Sequence, residues 1–286
     1  MSKVAVVTDS TAYIPEELLE GYTIRVAPLQ VLWDNESYRD GVDILPKEFY
    51  TRLATSKTMP STSQTTPGWF EEIYKPLLAE GYDIVSIHIS SALSGTCDSA
   101  FQAREELKAH DRIAVIDSRA AGMALGFQAL SVARAANNGA SFKDCQKLAE
   151  KAVDHTGVLF VVDTLEFLHR GGRIGGGQAF LGKLLDVKPI LALREGKIEP
   201  ADKTRTKNRA IERMVDLLEK EVGDRRPVRI SALHANVPDQ AEKLLEHICR
   251  RFKSSEVAEA FSADVSPVIG THLGPGGLGV AYMAGM

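Results

Sequence analysis

Two periods of hydrophobic and polar residues alternate along the first half of the chain. Residues 4–8 are a short β-branched apolar run that ends in Asp9-Ser10-Thr11, and Pro15-Glu16-Glu17-Leu18-Leu19 follows with the proline and acids of a helix start. The same step from strand to polar loop recurs at 84–89, which ends in Ser90-Ser91, at 113–116, which ends in Asp117-Ser118, and at 158–162, which ends in Asp163-Thr164. Between them, apolar residues return at helical spacing over 67–78, 96–107, 122–137 and 142–153. Strands alternating with helices predict a parallel sheet wrapped by helices, and ligands of such sheets gather at the carboxyl ends of the strands.

After about residue 164 the pattern changes. Runs at 189–193 and 197–201 flank a Glu195-Gly196 turn, which predicts a hairpin instead of a crossover. An amphipathic helix over 206–221, a strand over 228–233, a helix over 238–250 and strands over 257–261 and 278–283 complete the chain. The expected fold is α/β: an N-terminal parallel-sheet α/β domain over 1–163 and a smaller C-terminal α+β sandwich domain over 164–286, with a ligand cleft between them. No internal repeat or low-complexity linker separates the two halves.

Composition narrows the function. The chain has 286 residues, 44% of them hydrophobic and 25% charged, which excludes disordered, collagen-like and membrane-spanning classes. A formal charge of -4 offers no global attraction to nucleic acid. Cys97, Cys145 and Cys249 are odd in number and far apart, which argues against a disulfide framework or a zinc site and fits a reducing, cytoplasmic location. Lys3 interrupts the start too early for a signal peptide, Ser2 excludes myristoylation, and the end Ala-Gly-Met carries no lipidation motif. Neither metal nor cofactor is expected, for the chain has no ligand cluster, GxSxG elbow, HExxH or GxGxxG after the first strand. Gly177 and Gly182-Lys183 have phosphate-loop spacing, but Leu184 stands where a magnesium-binding hydroxyl is required.

Four loops hold groups suited to chemistry. Met59-Pro60-Ser61-Thr62-Ser63-Gln64-Thr65-Thr66-Pro67 offers five hydroxyls and an amide, more than helix capping needs. In Ser91-Ala92-Leu93-Ser94-Gly95-Thr96, Gly95 lets backbone approach a ligand at a helix start, while Ser94 or Thr96 serves equally as a cap. Gly270-Thr271-His272-Leu273-Gly274-Pro275-Gly276-Gly277 surrounds one histidine with glycines that imply left-handed backbone or close approach. His169-Arg170-Gly171-Gly172-Arg173-Ile174-Gly175 reads as an anion nest or as an interdomain connection. Asp9, Asp117 and Asp163 at strand ends serve as acids, bases or caps.

Taken in order, Thr8-Asp9-Ser10-Thr11, Pro60-Ser61-Thr62-Ser63-Gln64, Ser90 through Thr96, Asp163-Thr164-Leu165-Glu166 with Gly171-Gly172-Arg173-Ile174-Gly175, and Gly270 through Gly276 resemble the DegV family over nearly the whole chain. The resemblance implies a bacterial, non-catalytic fatty-acid-binding protein with an acyl chain buried between its domains and a role in lipid transport or fatty-acid metabolism. It also implies carboxylate binding by Thr62 and Ser94, with His272 nearby. It further implies presentation of the fatty acid to a separate ATP-dependent fatty-acid kinase. Thr65 stands where the family commonly has proline, and His169-Arg170 replaces a more uniformly basic pair.

On this reading Ser63, Gly95 and Arg173 are expected near the head group or a partner, and a protonated His272 would add a donor. Ala121, Phe160, Leu165, Leu168 and Ile190 are expected along the acyl tunnel, with a transient membrane-surface contact for exchange. Two other classes stay open: a serine-dependent acyl hydrolase with Ser94 as nucleophile and His272 as base, and a small-anion-binding protein using the glycine-rich loops.

Overall fold

The computed structural model describes residues 3–174 and 187–286. Gly175, Gly176, Gly177 and the Gly182-Lys183-Leu184 stretch lie outside the described residues. The chain opens with β1 (Lys3–Asp9), α1 (Glu16–Leu19) and β2 (Ile24–Ala27), then an insert of β3 (Gln30–Trp33), β4 (Glu36–Arg39), α2 (Pro46–Thr55) and β5 (Ser61–Ser63). Next come α3 (Pro67–Ala79), β6 (Tyr82–His88), α4 (Thr96–Glu106), β7 (Ile113–Asp117), α5 (Met123–Asn137) and α6 (Phe142–Val153). β8 (Thr156–Val161), α7 (Glu166–Arg170), β9 (Lys188–Arg194), β10 (Lys197–Thr204) and α8 (Lys207–Val222) follow. β11 (Val228–His234), α9 (Pro238–Cys249), β12 (Val257–Asp264), α10 (Pro267–Leu273) and β13 (Leu278–Ala284) complete the fold.

The N-terminal sheet is parallel throughout, in the order β2-β1-β6-β7, and the C-terminal sheet is mixed, in the order β10-β9-β8-β13-β11-β12. The mixed α/β architecture is therefore the expected one, with one strand reassigned. The run at 158–162, read as a further strand of the parallel sheet, is β8 of the second sheet, antiparallel to both β13 and β9. Both of its faces are buried, Val158 and Phe160 on one core and Leu159 and Val161 on the other. A strand apolar on both faces carries no record of its neighbours' direction. The chain passes from one sheet to the other between β7 and β8, ahead of residue 163.

Helix α5 explains how the two sheets share a core. Ten of its residues are buried, from Met123 through Leu130 and again at Val132 and Ala133, so its first two turns are buried on every side. A helix buried all round needs partners on all sides. It packs on β1 and β6 of one sheet and on β8 and β13 of the other. Val6 and Ile87 of the first sheet join Phe127 and then Phe160 and Met283 of the second in one cluster. The far face of the first sheet carries α3 and α4, and that of the second carries α8 and α9, each over its own apolar core.

The insert had no counterpart in the pattern reading. Its strands form a small antiparallel sheet, β4-β3-β5. Val31 and Trp33 point inward, and Trp33 meets the Phe49 ring edge-on at 5.5 Å. Because Thr62 pairs with Val31, this sheet turns the Thr62 side chain inward and leaves Ser61 and Ser63 outside. The glycine-rich segment around His272 has the backbone expected of it: Gly274 and Gly276 have left-handed φ, both at 77°, and a Cβ on Gly270 or Gly277 would stand 2.5 Å from the Tyr50 hydroxyl or 2.6 Å from Leu273 Cδ2. The short helix α10 at its start was not anticipated.

Candidate functional site

A cavity of about 230 Å³ lies between the carboxyl ends of β1 and β6 and the inner face of the second sheet. One water needs only roughly 10–15 Å³ on this measure, so the space is far beyond a packing defect. Ile89, Leu93, Ala121, Val158, Phe160, Leu168, Leu193, Ile198 and Leu233 give most of its wall aliphatic or aromatic character. α10 covers another side with Val268, Ile269 and Leu273. Thr62, Ser63, Gln64, Ser94, Arg173 and His272 are among its polar groups, with Thr11, Asp264 and Ser266 also in the lining.

The local structure sorts the hydroxyls that the sequence left undivided. Thr66 caps α3 by accepting from the Trp69 N–H, and Thr65 donates to the Pro28 carbonyl at 2.8 Å. Thr62 is left for the cavity, where its Oγ1 lies 2.8 Å from His272 Nε2. Ser94 does not cap α4, whose cap residue is Gly95 without a side-chain bond. Its Oγ lies 2.9 Å from Thr96 Oγ1 at the cavity wall. Neither ring nitrogen of His272 pairs with Ser94, since Nε2 faces Thr62 and Nδ1 is buried without a partner. The nucleophile and base pair of a serine hydrolase is thus not formed.

The other anticipated residues divide. Ser63 and Arg173 line the cavity, whereas Gly95 does not and instead lies against the Gln64 amide. Arg173 donates from Nε to the Leu93 carbonyl at 3.1 Å and from Nη1 to the Gly171 carbonyl at 2.7 Å. Gly171 is required as glycine because a Cβ there would stand 2.1 Å from His272 Nδ1. Ala121, Phe160 and Leu168 line the cavity. Leu165 is buried in the adjoining core and Ile190 points to the outer core of the second sheet, so neither lines it. Strand parity decides Ile190: Leu191 and Leu193 take the inner face, and Ile190 and Ala192 the other.

His272 is neutral, contrary to the protonated form anticipated. Burial and the neighbouring Arg173 guanidinium hold its pKa down to about 4. Asp40, which pattern reading passed over, is almost fully buried at the other end of α10. It accepts from Ser10 Oγ at 2.7 Å and from the Val268 N–H at 3.3 Å, and burial pushes it up to about 7. Asp9 ties strand ends together, accepting from the Ile89 N–H at 2.8 Å and lying 3.1 Å from His88 Nδ1. Asp117 accepts from the Ser91 and Arg119 N–H groups, and Asp163 pairs with Lys207 at 3.0 Å. Val265, Val268, Ile269 and Leu273 were missed as lining, although their spacing of three, four and eight residues is a helical signal beneath the glycines.

Among the described residues, no group of three or more His, Cys, Asp or Glu is placed to hold a metal, and no helix is long and apolar enough to cross a membrane. A family model described as an uncharacterised protein of the DegV family matches residues 3–285. The chain belongs to the DegV family. It is 39% identical over 281 residues to the protein DegV of Bacillus subtilis (strain 168), a match covering 98% of each chain. It aligns with a solved DegV family protein from Thermus thermophilus at a TM-score of 0.92 and 34% identity over 99% of both chains. It aligns with the crystal structure of Bacillus subtilis DegV at a TM-score of 0.89 and 38% identity, over 99% of this chain and 100% of that one. The Thermus protein is described for its fatty acid binding, and the Bacillus protein as a fatty acid binding protein.

Proposed function

We propose that this DegV family member binds one long-chain fatty acid, such as palmitate or oleate, in the cavity between its sheets and acts as a non-catalytic carrier in the cytoplasm. The observation that carries this reading is a largely apolar cavity with neutral hydroxyls and an imidazole in its wall. In this reading Thr62 and Ser94 donate to the carboxylate. With the ring proton on Nε2, His272 donates to Thr62 Oγ1, 2.8 Å away, which leaves the threonine proton free for the ligand. Arg173 adds positive charge close by.

Energetics fit a protein that must also release its ligand. Burying the methylenes of a sixteen-carbon chain yields roughly 0.8 kcal/mol each, about 11 kcal/mol against water, but a bilayer offers the chain the same. Selection over membrane therefore rests on the head group, where each hydrogen bond to a carboxylate contributes about 1.5–3 kcal/mol. Exchange by brief contact with a membrane surface follows from that balance.

Native mass spectrometry of protein purified without detergent, then denaturation and identification of what is released, tests the reading. One fatty acid per chain is the expected result. An empty protein that ignores added palmitate and oleate would sink it and bring the small-anion reading forward.

In the same proposal a separate ATP-dependent fatty-acid kinase acts on the bound acid. The exposed Ser63 and Gln64 beside Thr62 support this, because they leave the head-group end near the surface. Loaded protein with ATP and such a kinase should yield an acyl phosphate, trapped by hydroxylamine as the hydroxamate. The loaded protein with ATP alone should yield none.

A further inference from the structure

Ser90 lines no part of the cavity, yet it joins the loop of Ser94 to the opposite wall. It follows β6 and is 1% exposed. Its carbonyl accepts from the Leu93 N–H at 2.9 Å and the Ser94 N–H at 3.1 Å, closing the turn that ends in Ser94. Its Oγ donates to the Gly196 carbonyl at 2.8 Å and accepts from the Ala92 N–H at 3.2 Å.

Gly196 forms the tip of the β9–β10 hairpin with Glu195, and both are left-handed, at φ of 76° and 46°. A Cβ on Gly196 would stand 2.3 Å from Ser90 Oγ, so glycine is what admits this bond. Leu193 and Ile198 pair with each other one step behind the tip, and both line the cavity. The Arg119–Glu195 ion pair beside the tip is 53% and 85% exposed, and such pairs contribute little. The buried bond to Ser90 therefore sets where the tip sits.

We propose that Ser90 and Gly196 are positioning residues forming a latch between the acyl-contacting hairpin and the carboxylate-binding loop. A chain seated on Leu193 and Ile198 holds the tip against Ser90, and Ser90 holds Ser94 in its donating position. The inference rests on the fatty-acid reading above. It makes the protein respond to tail and head group jointly, because a chain that fails to seat the hairpin also loses order at Ser94.

A double-mutant cycle on the full chain tests the latch, with palmitate affinity read by displacement of a fluorescent fatty acid. Leu193→Ala and Ser94→Ala are measured singly and together, first in the native background and then with Ser90→Ala. In the native background the combined loss should differ from the product of the single losses by about fivefold. With Ser90→Ala the factor should fall within about twofold of unity, a change that uniform weakening would not produce. Gly196→Ala breaks the same contact from the other side and replaces Ser90→Ala should thermal melts show that variant unfolded. Independent single losses in the native background, or coupling that survives both latch variants, would overturn the proposal. A native protein that takes up no palmitate would remove the fatty-acid reading and the latch together.

Discussion

The two walls of the cavity are made from different parts of their sheets. On the first sheet the lining groups come from loops beyond the strand ends: Thr11 after β1, Leu93 and Ser94 after β6, and Ala121 after β7. On the second they come from the strands, with Val158 and Phe160 in β8, Leu193 in β9 and Ile198 in β10. Strand backbone is already paired in the ladder and presents only side chains, whereas loop ends retain free N–H groups and hydroxyls. The Ser94 hydroxyl thus stands on the loop wall and the apolar ladder side chains on the other, and mutation should separate their contributions.

The strongest way to break this division is to remove the element that both sheets share. Phe127→Ala in α5 should cost about 3–5 kcal/mol of stability, because Phe127 is fully buried in the common core. Denaturant unfolding measures it, and a loss below about 1 kcal/mol would show that α5 does not join the sheets energetically. Among the hydroxyls, Thr62→Ala in β5 and Ser94→Ala in the loop after β6 should each weaken palmitate binding by about 1.5–3 kcal/mol with melting temperature unchanged. Unaltered affinity in a folded variant would strip that residue of its head-group role.

Crowding the cavity sharpens the comparison further. Ala121→Leu should weaken palmitate binding by about 1–3 kcal/mol, since the added methylenes enter cavity space. Native-like lipid occupancy would take Ala121 out of the path of the chain.

The smallest effects separate the ends of α10 by pH. His272 is held at about 4 instead of 6.5, so between those values the unfolded chain binds a proton that the folded chain lacks. Stability from this group is therefore lost as pH falls from 6.5 toward 4. Asp40 is the reverse, raised from 3.8 to about 7, so the folded chain holds the extra proton and stability is lost as pH rises through that window. His272→Gln should flatten the first slope and Asp40→Asn the second in unfolding midpoints taken from pH 4 to 8. A slope that persists in its variant assigns that titration to another group.

Legibility followed how local each signal was. The hairpin at Glu195-Gly196 and β1, β6 and β7 of the first sheet were readable because turn chemistry and apolar runs act within a few residues, while the short β2 was missed. β8 was read as a strand but given the wrong sheet, since pairing is a long-range choice. Glycines masked α10, whose helical face shows in Val268, Ile269 and Leu273. Asp40 carries no local signal of its role, and only the packing of β1, the small sheet and α10 around it explains its burial. Among the hydroxyls of the 59–67 loop, sequence could not tell cap from ligand contact, because that depends on which face of β5 meets His272.

The sequence by itself determined most of the strands and long helices and the family, because propensity, turn residues and ordered motifs are carried by neighbours along the chain. Tertiary structure alone decided that β8 crosses to the second sheet, that α5 is buried from both sides, and that Thr62 meets His272 across 210 residues. Those facts depend on which surfaces come together, and the free energy of burial and pairing is a property of both partners at once.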